Sequence, residues 1–191
     1  MMFHKRIIPL AAVVLLAAGF PARAHRLDEY LQATTIALAR DGITLRLRLT
    51  PGVDVAAGVI RQIDQNGDGV LSVEEQHGYA ERIAEHLSFS LNGKPVFLRP
   101  VAGVFPTLDT MKGGAGVIDI VFDVNTHLGN GQYHLVYRNR ASGRQTVWLV
   151  NCLLPQDPSI HVLQQNRSED QSLYQLDFLV EGRNPARNFS G

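Results

Sequence analysis

Cysteine is almost missing from this chain. Of 191 residues only Cys152 carries a thiol, so an intrachain disulfide is excluded. Charge of one sign is missing as well, since 18 Lys and Arg balance 18 Asp and Glu. Without a basic excess there is no electrostatic footprint for nucleic acid. No apolar run beyond residue 20 is long enough to read as a membrane span. A Gly-x-Ser-x-Gly elbow, a phosphate loop, a His-Glu-x-x-His helix and a Cys/His/Asn pattern are all absent, so the sequence does not read as an enzyme. Internal repeats and low-complexity segments are absent too.

What is there begins with export. Lys5 and Arg6 form a basic start, and Ile7 to Phe20 is an apolar run too short to span a bilayer comfortably. Ala22-Arg23-Ala24 is an A-x-A cleavage site, so residues 1–24 read as a signal peptide and His25 as the first mature residue. No Cys follows the run to take a lipid anchor. Cleavage removes three basic residues and no acidic one, leaving a net charge of −3. The expected location is the periplasm or outside the cell. A chain of this size buries one good core and reads as one domain over 25–181, with a polar, frayed tail at 182–191. Leu149, Val150, Leu153 and Leu154 surround Cys152, which reads as a small buried apolar residue.

Period-two alternation dominates that domain. Ile43, Leu45, Leu47 and Leu49 alternate with Thr44, Arg46, Arg48 and Thr50, and Asp41-Gly42 joins this strand to Tyr30–Ala39 as a hairpin. Leu87, Phe89 and Leu91 lead into the Asn92-Gly93 turn, and Val96 to Leu98 return. Pro100 to Gly116 reads as a long loop. Further strands follow at Ile118–Val124, Tyr133–Arg138, Thr146–Leu154, Ile160–Leu163 and Tyr174–Val180. The run at Thr146–Leu154 is the most continuously apolar and is expected at a sheet centre. Eight or nine short strands with turn signals predict a mainly β fold, an antiparallel Ig-like β-sandwich.

One segment breaks the alternation. Val53, Ala56, Ala57, Ile60 and Ile63 fall at helical spacing and run straight into Asp64. A second helix starts near Ser72, with Val73, Ala80, Ile83, Ala84 and Leu87 as its apolar stripe. Between them stands Asp64-Gln65-Asn66-Gly67-Asp68-Gly69-Val70-Leu71-Ser72-Val73-Glu74-Glu75. This matches a calcium loop without a mismatch: acids or amides at alternate positions, then Gly, then Glu six residues on. Ca²⁺ takes six to eight oxygens in flexible geometry. Asp64, Asn66 and Asp68 supply side-chain oxygens, Val70 its carbonyl, and Glu75 both carboxylate oxygens, while Ser72 acts through a water and Leu71 turns inward. With average residue usage the fixed positions coincide by chance on the order of once in a couple of thousand chains this long. A polar turn followed by a capped helix explains Ser72 and Glu75 as a capping box, but not the alternating Asp, Asn and Asp.

These residues resemble the EF-hand family, which implies calcium as the bound ion and a helix–loop–helix inserted at 53–87. A second calcium loop is absent, so a lone hand must rest on the sandwich. Further stretches carry another resemblance: His25-Arg26-Leu27-Asp28-Glu29-Tyr30-Leu31-Gln32-Ala33, Leu49-Thr50-Pro51-Gly52-Val53, Tyr137-Arg138-Asn139-Arg140, Leu149-Val150-Asn151 and Tyr174-Gln175-Leu176-Asp177-Phe178. Together they are similar to the exported N-terminal domain of bacterial hydrogenase/urease accessory proteins and related nickel/cobalt transporters. Those proteins continue into membrane helices that this sequence does not show. The resemblance therefore implies a soluble, exported form of that domain, not a transporter. The expected partners are a calcium ion and a periplasmic or membrane protein. The competing expectation is a periplasmic accessory protein for Cu²⁺ or Ni²⁺. There the α-amine and imidazole of His25 would chelate with help from His127, His134 or His161. His77 and Glu81, four apart, read as a solvated helix face.

Overall fold

The computed structural model describes residues 28–141, 143 and 145–182. The expected signal peptide, His25 and the tail from residue 183 lie outside the described residues. The fold is mainly β, with ten strands in two five-stranded sheets among the described residues. In chain order come β1 (Tyr30–Ala39), β2 (Gly42–Pro51), α1 (Val53–Ile63), α2 (Val73–Glu85), β3 (Leu87–Leu91) and β4 (Lys94–Val96). After these follow β5 (Arg99–Val104), α3 (Leu108–Lys112), β6 (Ile118–Val124), β7 (Gly131–Asn139), β8 (Thr146–Cys152), β9 (Ile160–Arg167) and β10 (Leu173–Val180). One sheet runs β5-β6-β2-β1-β8, the other β4-β3-β7-β10-β9.

The alternation is what packs the two sheets together. Ile43, Leu45, Leu47 and Leu49 of β2, with Ile118, Ile120, Phe122 and Val124 of β6, present one apolar face. Tyr174, Leu176, Phe178 and Val180 of β10 present the other, and both belong to one core. Polar bonds also cross between the sheets. The Thr34 and Tyr137 hydroxyls lie 2.8 Å apart, and Asn139 Nδ2 donates to Gln32 Oε1 at 2.7 Å. Inside a core such bonds fix which residue faces which, because a buried polar group left unpaired is costly. Asn92 (φ 51°) and Gly93 (φ 74°) make the expected tight turn between β3 and β4.

Two expectations are corrected. Pro100–Gly116 is not only loop. It holds the edge strand β5, whose register slips between Pro100 and Ala102, and the short helix α3, capped by Thr107. Pro and Gly hid the strand by breaking its alternation. β8 is an edge strand, not a central one, and it pairs in parallel with β1 alone. Its apolar run reflects a solvent-facing Leu149, 42% exposed, rather than burial on two faces. The β1–β8 pair is the parallel exception in two sheets whose other described pairs are antiparallel, as expected.

The helix pair fills the crossover from β2 in one sheet to β3 in the other. α1 buries Ala56, Val59, Ile60 and Ile63, a face at the helical period. α2 buries Tyr79, Ala80 and Ile83. Val73, expected on that stripe, is exposed, and Tyr79 faces inward instead. Both helices contribute to the sandwich core. Among the described residues no helix is long and apolar enough to cross a membrane.

Candidate metal centre

The segment 64–72 leaves α1 at Asp64 and enters α2 at Ser72, so its two ends are fixed by helices seated in the core. Its path is set by the loop's own side chains. Asp64 Oδ1 accepts from Gly67 N at 2.8 Å and Asp64 Oδ2 from Gly69 N at 3.1 Å. Asn66 Oδ1 accepts from Asp68 N at 2.9 Å, and Asp68 Oδ1 from Val70 N at 2.8 Å. Each acid or amide thus folds back over the backbone two to five residues on, the local bonding that Asx side chains favour. Gly67 (φ 73°) and Gly69 (φ 80°) stand where the chain turns into the left-handed region, which a side chain resists.

Glu75 closes the loop from the far side. Its Oε1 accepts from Gln65 N at 2.9 Å and Asn66 N at 3.4 Å, tying α2 to the loop's start. Its Oε2 accepts from the Ser72 hydroxyl at 2.8 Å and Ser72 N at 3.0 Å. The Ser72 hydroxyl in turn accepts from Glu75 N, completing the capping box. The capping box and the calcium-loop pattern therefore share Ser72 and Glu75 and are not alternatives. The Ser72 hydroxyl, then its backbone N–H, hold the Glu75 carboxyl below its ordinary value.

Do these residues fit a calcium ion? The donors at Asp64, Asn66, Asp68, Val70 and Glu75 are all hard oxygens, on a loop exposed to solvent. A carboxylate has about four lone-pair sites, so Glu75 can accept N–H bonds and still face a cation. No group of three His, Cys, Asp or Glu side chains converges on one point among the described residues. Here Asp64, Asp68 and Glu75 each turn to backbone N–H donors, and Asn66 Nδ2 donates to Asp68 Oδ2 at 3.0 Å. The donor chemistry and the ring closure fit Ca²⁺. The bound ion would supply the positive charge that lets three carboxylates crowd one loop.

Two supports were not legible in the sequence. Gln76 Nε2 donates to the Leu71 carbonyl at 2.8 Å, and Arg82 donates to the Gln62 carbonyl at 2.6 Å, bracing the end of α1 against α2. A glutamine or arginine on a helix gives no spacing signal for such a bond. Leu71 turns inward as expected and packs against the core, lining one cleft with Phe105 and Leu108. The histidines expected to aid His25 join no group of three metal-ligating side chains among the described residues. His134 Nδ1 lies 2.6 Å from Asp177, His161 faces Glu181 at 3.4 Å, and His127 is exposed between β6 and β7. Cys152 is buried, as expected, and burial pushes its thiol up to about 11.

No protein-family model, no curated protein and no solved structure matches the chain. The chemistry of the site's own residues therefore carries its reading.

A pH dependence follows from Glu75. Its folded-state value is depressed, so the cap and ring closure contribute fully above the ordinary 4.5 and are lost as pH falls through the lower folded value. An NMR titration of the Glu75 carboxyl should show a midpoint below 4.5. Ser72→Ala should move it upward, because the hydroxyl bond is the largest cause. An unmoved midpoint would assign the depression to another group.

Proposed function

We propose that this protein is an exported calcium-binding module, an EF-hand helix–loop–helix carried on a β-sandwich. The ion mainly stabilises a surface for binding a periplasmic or membrane protein. The observation that carries this is the ring closure at Glu75. A carboxylate on the second helix holds the start of a loop whose alternate residues each offer an oxygen. Asp64, Asn66, Asp68, the Val70 carbonyl and Glu75 would hold the ion. Leu71 packed against the core, with Gln76 on its carbonyl, supports the hand from within the chain. The expected signal peptide supports export, and calcium outside the cytoplasm suits a site of 10⁻⁴–10⁻³ M. Calorimetric titration of protein processed before His25 should give one calcium site, with magnesium far weaker. No heat with calcium, or equal binding of magnesium, would overturn the reading.

A further inference from the structure

Three exposed valines gather along one groove. It holds about 290 Å³ and runs between α2 and the edge strand β5. Val73, Gln76, His77 and Ala80 form its α2 wall, at the spacing of a single helix face. Val101, where the β5 register slips, and Phe105 line the other side. Past Gln76 and Phe105 a second hollow continues to Val70 of the calcium loop. Val73 is 75% exposed, Val70 65% and Val101 51%. Tyr79, Ala80 and Ile83 already seat α2 in the core, so the fold makes no use of Val73. A β-branched residue also gains nothing on a wet helix face. Apolar residues scattered singly need no reason, but three along one concave surface mark a contact site.

Charge says what kind of partner fits. Glu74 and Glu81 flank His77 on the exposed side of α2, three and four residues from it. They therefore rim the groove along its length. Residues 64–85 hold six acids, Asp64, Asp68, Glu74, Glu75, Glu81 and Glu85, against Arg82 alone, a net of −5. The whole mature chain nets only −3, so this helix–loop segment is its acidic pole. One bound Ca²⁺ leaves the segment at −3. A second copy docked here about a two-fold axis would set this pole against itself. A bilayer of anionic lipid would be repelled in the same way. A basic partner is attracted.

We infer that this groove docks a segment of another protein in which apolar side chains stand beside Lys or Arg. The apolar groups enter between Val73 and Val101, and the cations lie along Glu74 and Glu81. The inference rests on the binding role proposed above and names its surface. It does not rest on the ion, because both walls of the groove are held without the loop: α2 by the core and β5 by its pairing with β6.

The test titrates the mature, calcium-loaded chain with the capped peptide Lys-Lys-Leu-Phe-Lys-Lys, followed by ¹⁵N–¹H NMR. Saturable shifts should gather on Val73, His77, Ala80 and Val101. Glu-Glu-Leu-Phe-Glu-Glu should produce none, and Lys-Lys-Ser-Ser-Lys-Lys none that saturate. Val73→Ser combined with Val101→Ser should abolish saturable binding at an unchanged melting temperature. Glu74→Gln combined with Glu81→Gln should weaken the peptide about fivefold, the loss of two exposed ion pairs. If the serine variant fails to fold, the glutamine variant carries the test. Shifts that lie elsewhere, survive in the serine variant, ignore the glutamine changes or appear equally with either control peptide would overturn the groove. So would the same shifts with phosphatidylglycerol vesicles, which would make it a membrane contact. A dimer in sedimentation that the serine variant dissolves would give the groove to a second copy and overturn the inference too. Calcium heat is read on the same sample. Calcium binding without peptide binding strikes this inference alone, and peptide binding without calcium heat strikes the ion alone.

Discussion

Glu75→Gln should raise the calcium Kd about a hundredfold while leaving the calcium-free protein almost as stable as before. The two halves of that expectation come from the two duties of one side chain. As a cap, Glu75 meets Ser72 N and Oγ through Oε2. Glutamine at the same helical position still completes a capping box, so α2 should keep its start. As a ligand, Glu75 is the residue placed to give two charged oxygens, and its carboxylate alone reaches from α2 to the loop's first residues. Glutamine has one neutral oxygen and a donor where the second oxygen was. Gln65→Ala is the control, since only its backbone N–H takes part in the ring. Calorimetry decides the first half and thermal melting in chelator the second. Wild-type calcium affinity in Glu75→Gln would remove the loop from consideration as a metal site.

The parts of this molecule that repeat were legible, and the parts that depend on a single partner were not. The alternation at Ile43–Leu49 and Ile118–Val124 gave both strands and their buried faces, because a period of two leaves little choice of face. The helical spacing of Val53, Ala56, Ala57, Ile60 and Ile63 gave α1, although Val53 and Ala57 are exposed and Val59 takes a place on the buried face, and Asn92-Gly93 gave its turn. β5 and α3 were hidden because Pro100, Gly103 and Pro106 break any period. Sheet order was hidden too. An apolar run such as Val147–Val150 states an affinity for other apolar surface, not which neighbours supply it, and β8 ended at an edge. Within the site, every oxygen-bearing residue was legible from the loop pattern alone. The braces at Gln76 and Arg82 were not, since each depends on one carbonyl brought close by the fold. The bond between the Tyr30 and Tyr79 hydroxyls spans 49 positions and could only be found in three dimensions.

Removing calcium with a chelator should lower the melting temperature by about 3–11 °C without unfolding the sandwich. Mass action sets the size. At ten times Kd the ion adds about 1.4 kcal/mol, and at a hundred times about 2.7. For a domain of this size each kcal/mol moves the melting point by roughly 2–4 °C. The fold survives because the helices do not depend on the ion for their seats. Val59, Ile60 and Ile63 of α1 and Tyr79, Ala80 and Ile83 of α2 lie in the common core. Arg82 still joins α2 to the end of α1, and Ser72 and Glu75 still cap α2. What loosens is the stretch where Asp64, Asp68 and Glu75 then repel one another, so limited proteolysis should cut first between residues 60 and 75. A sensor would behave otherwise, exposing a Met-rich groove when calcium binds. Beyond the expected signal peptide the only methionine is Met111, which lies fully buried on α3 and not on the helix pair. Hydrophobic-dye fluorescence should therefore change little between calcium and chelator. A large calcium-dependent rise in dye binding would make the ion a switch, and complete unfolding in chelator would make the loop the foundation of the fold instead of its staple.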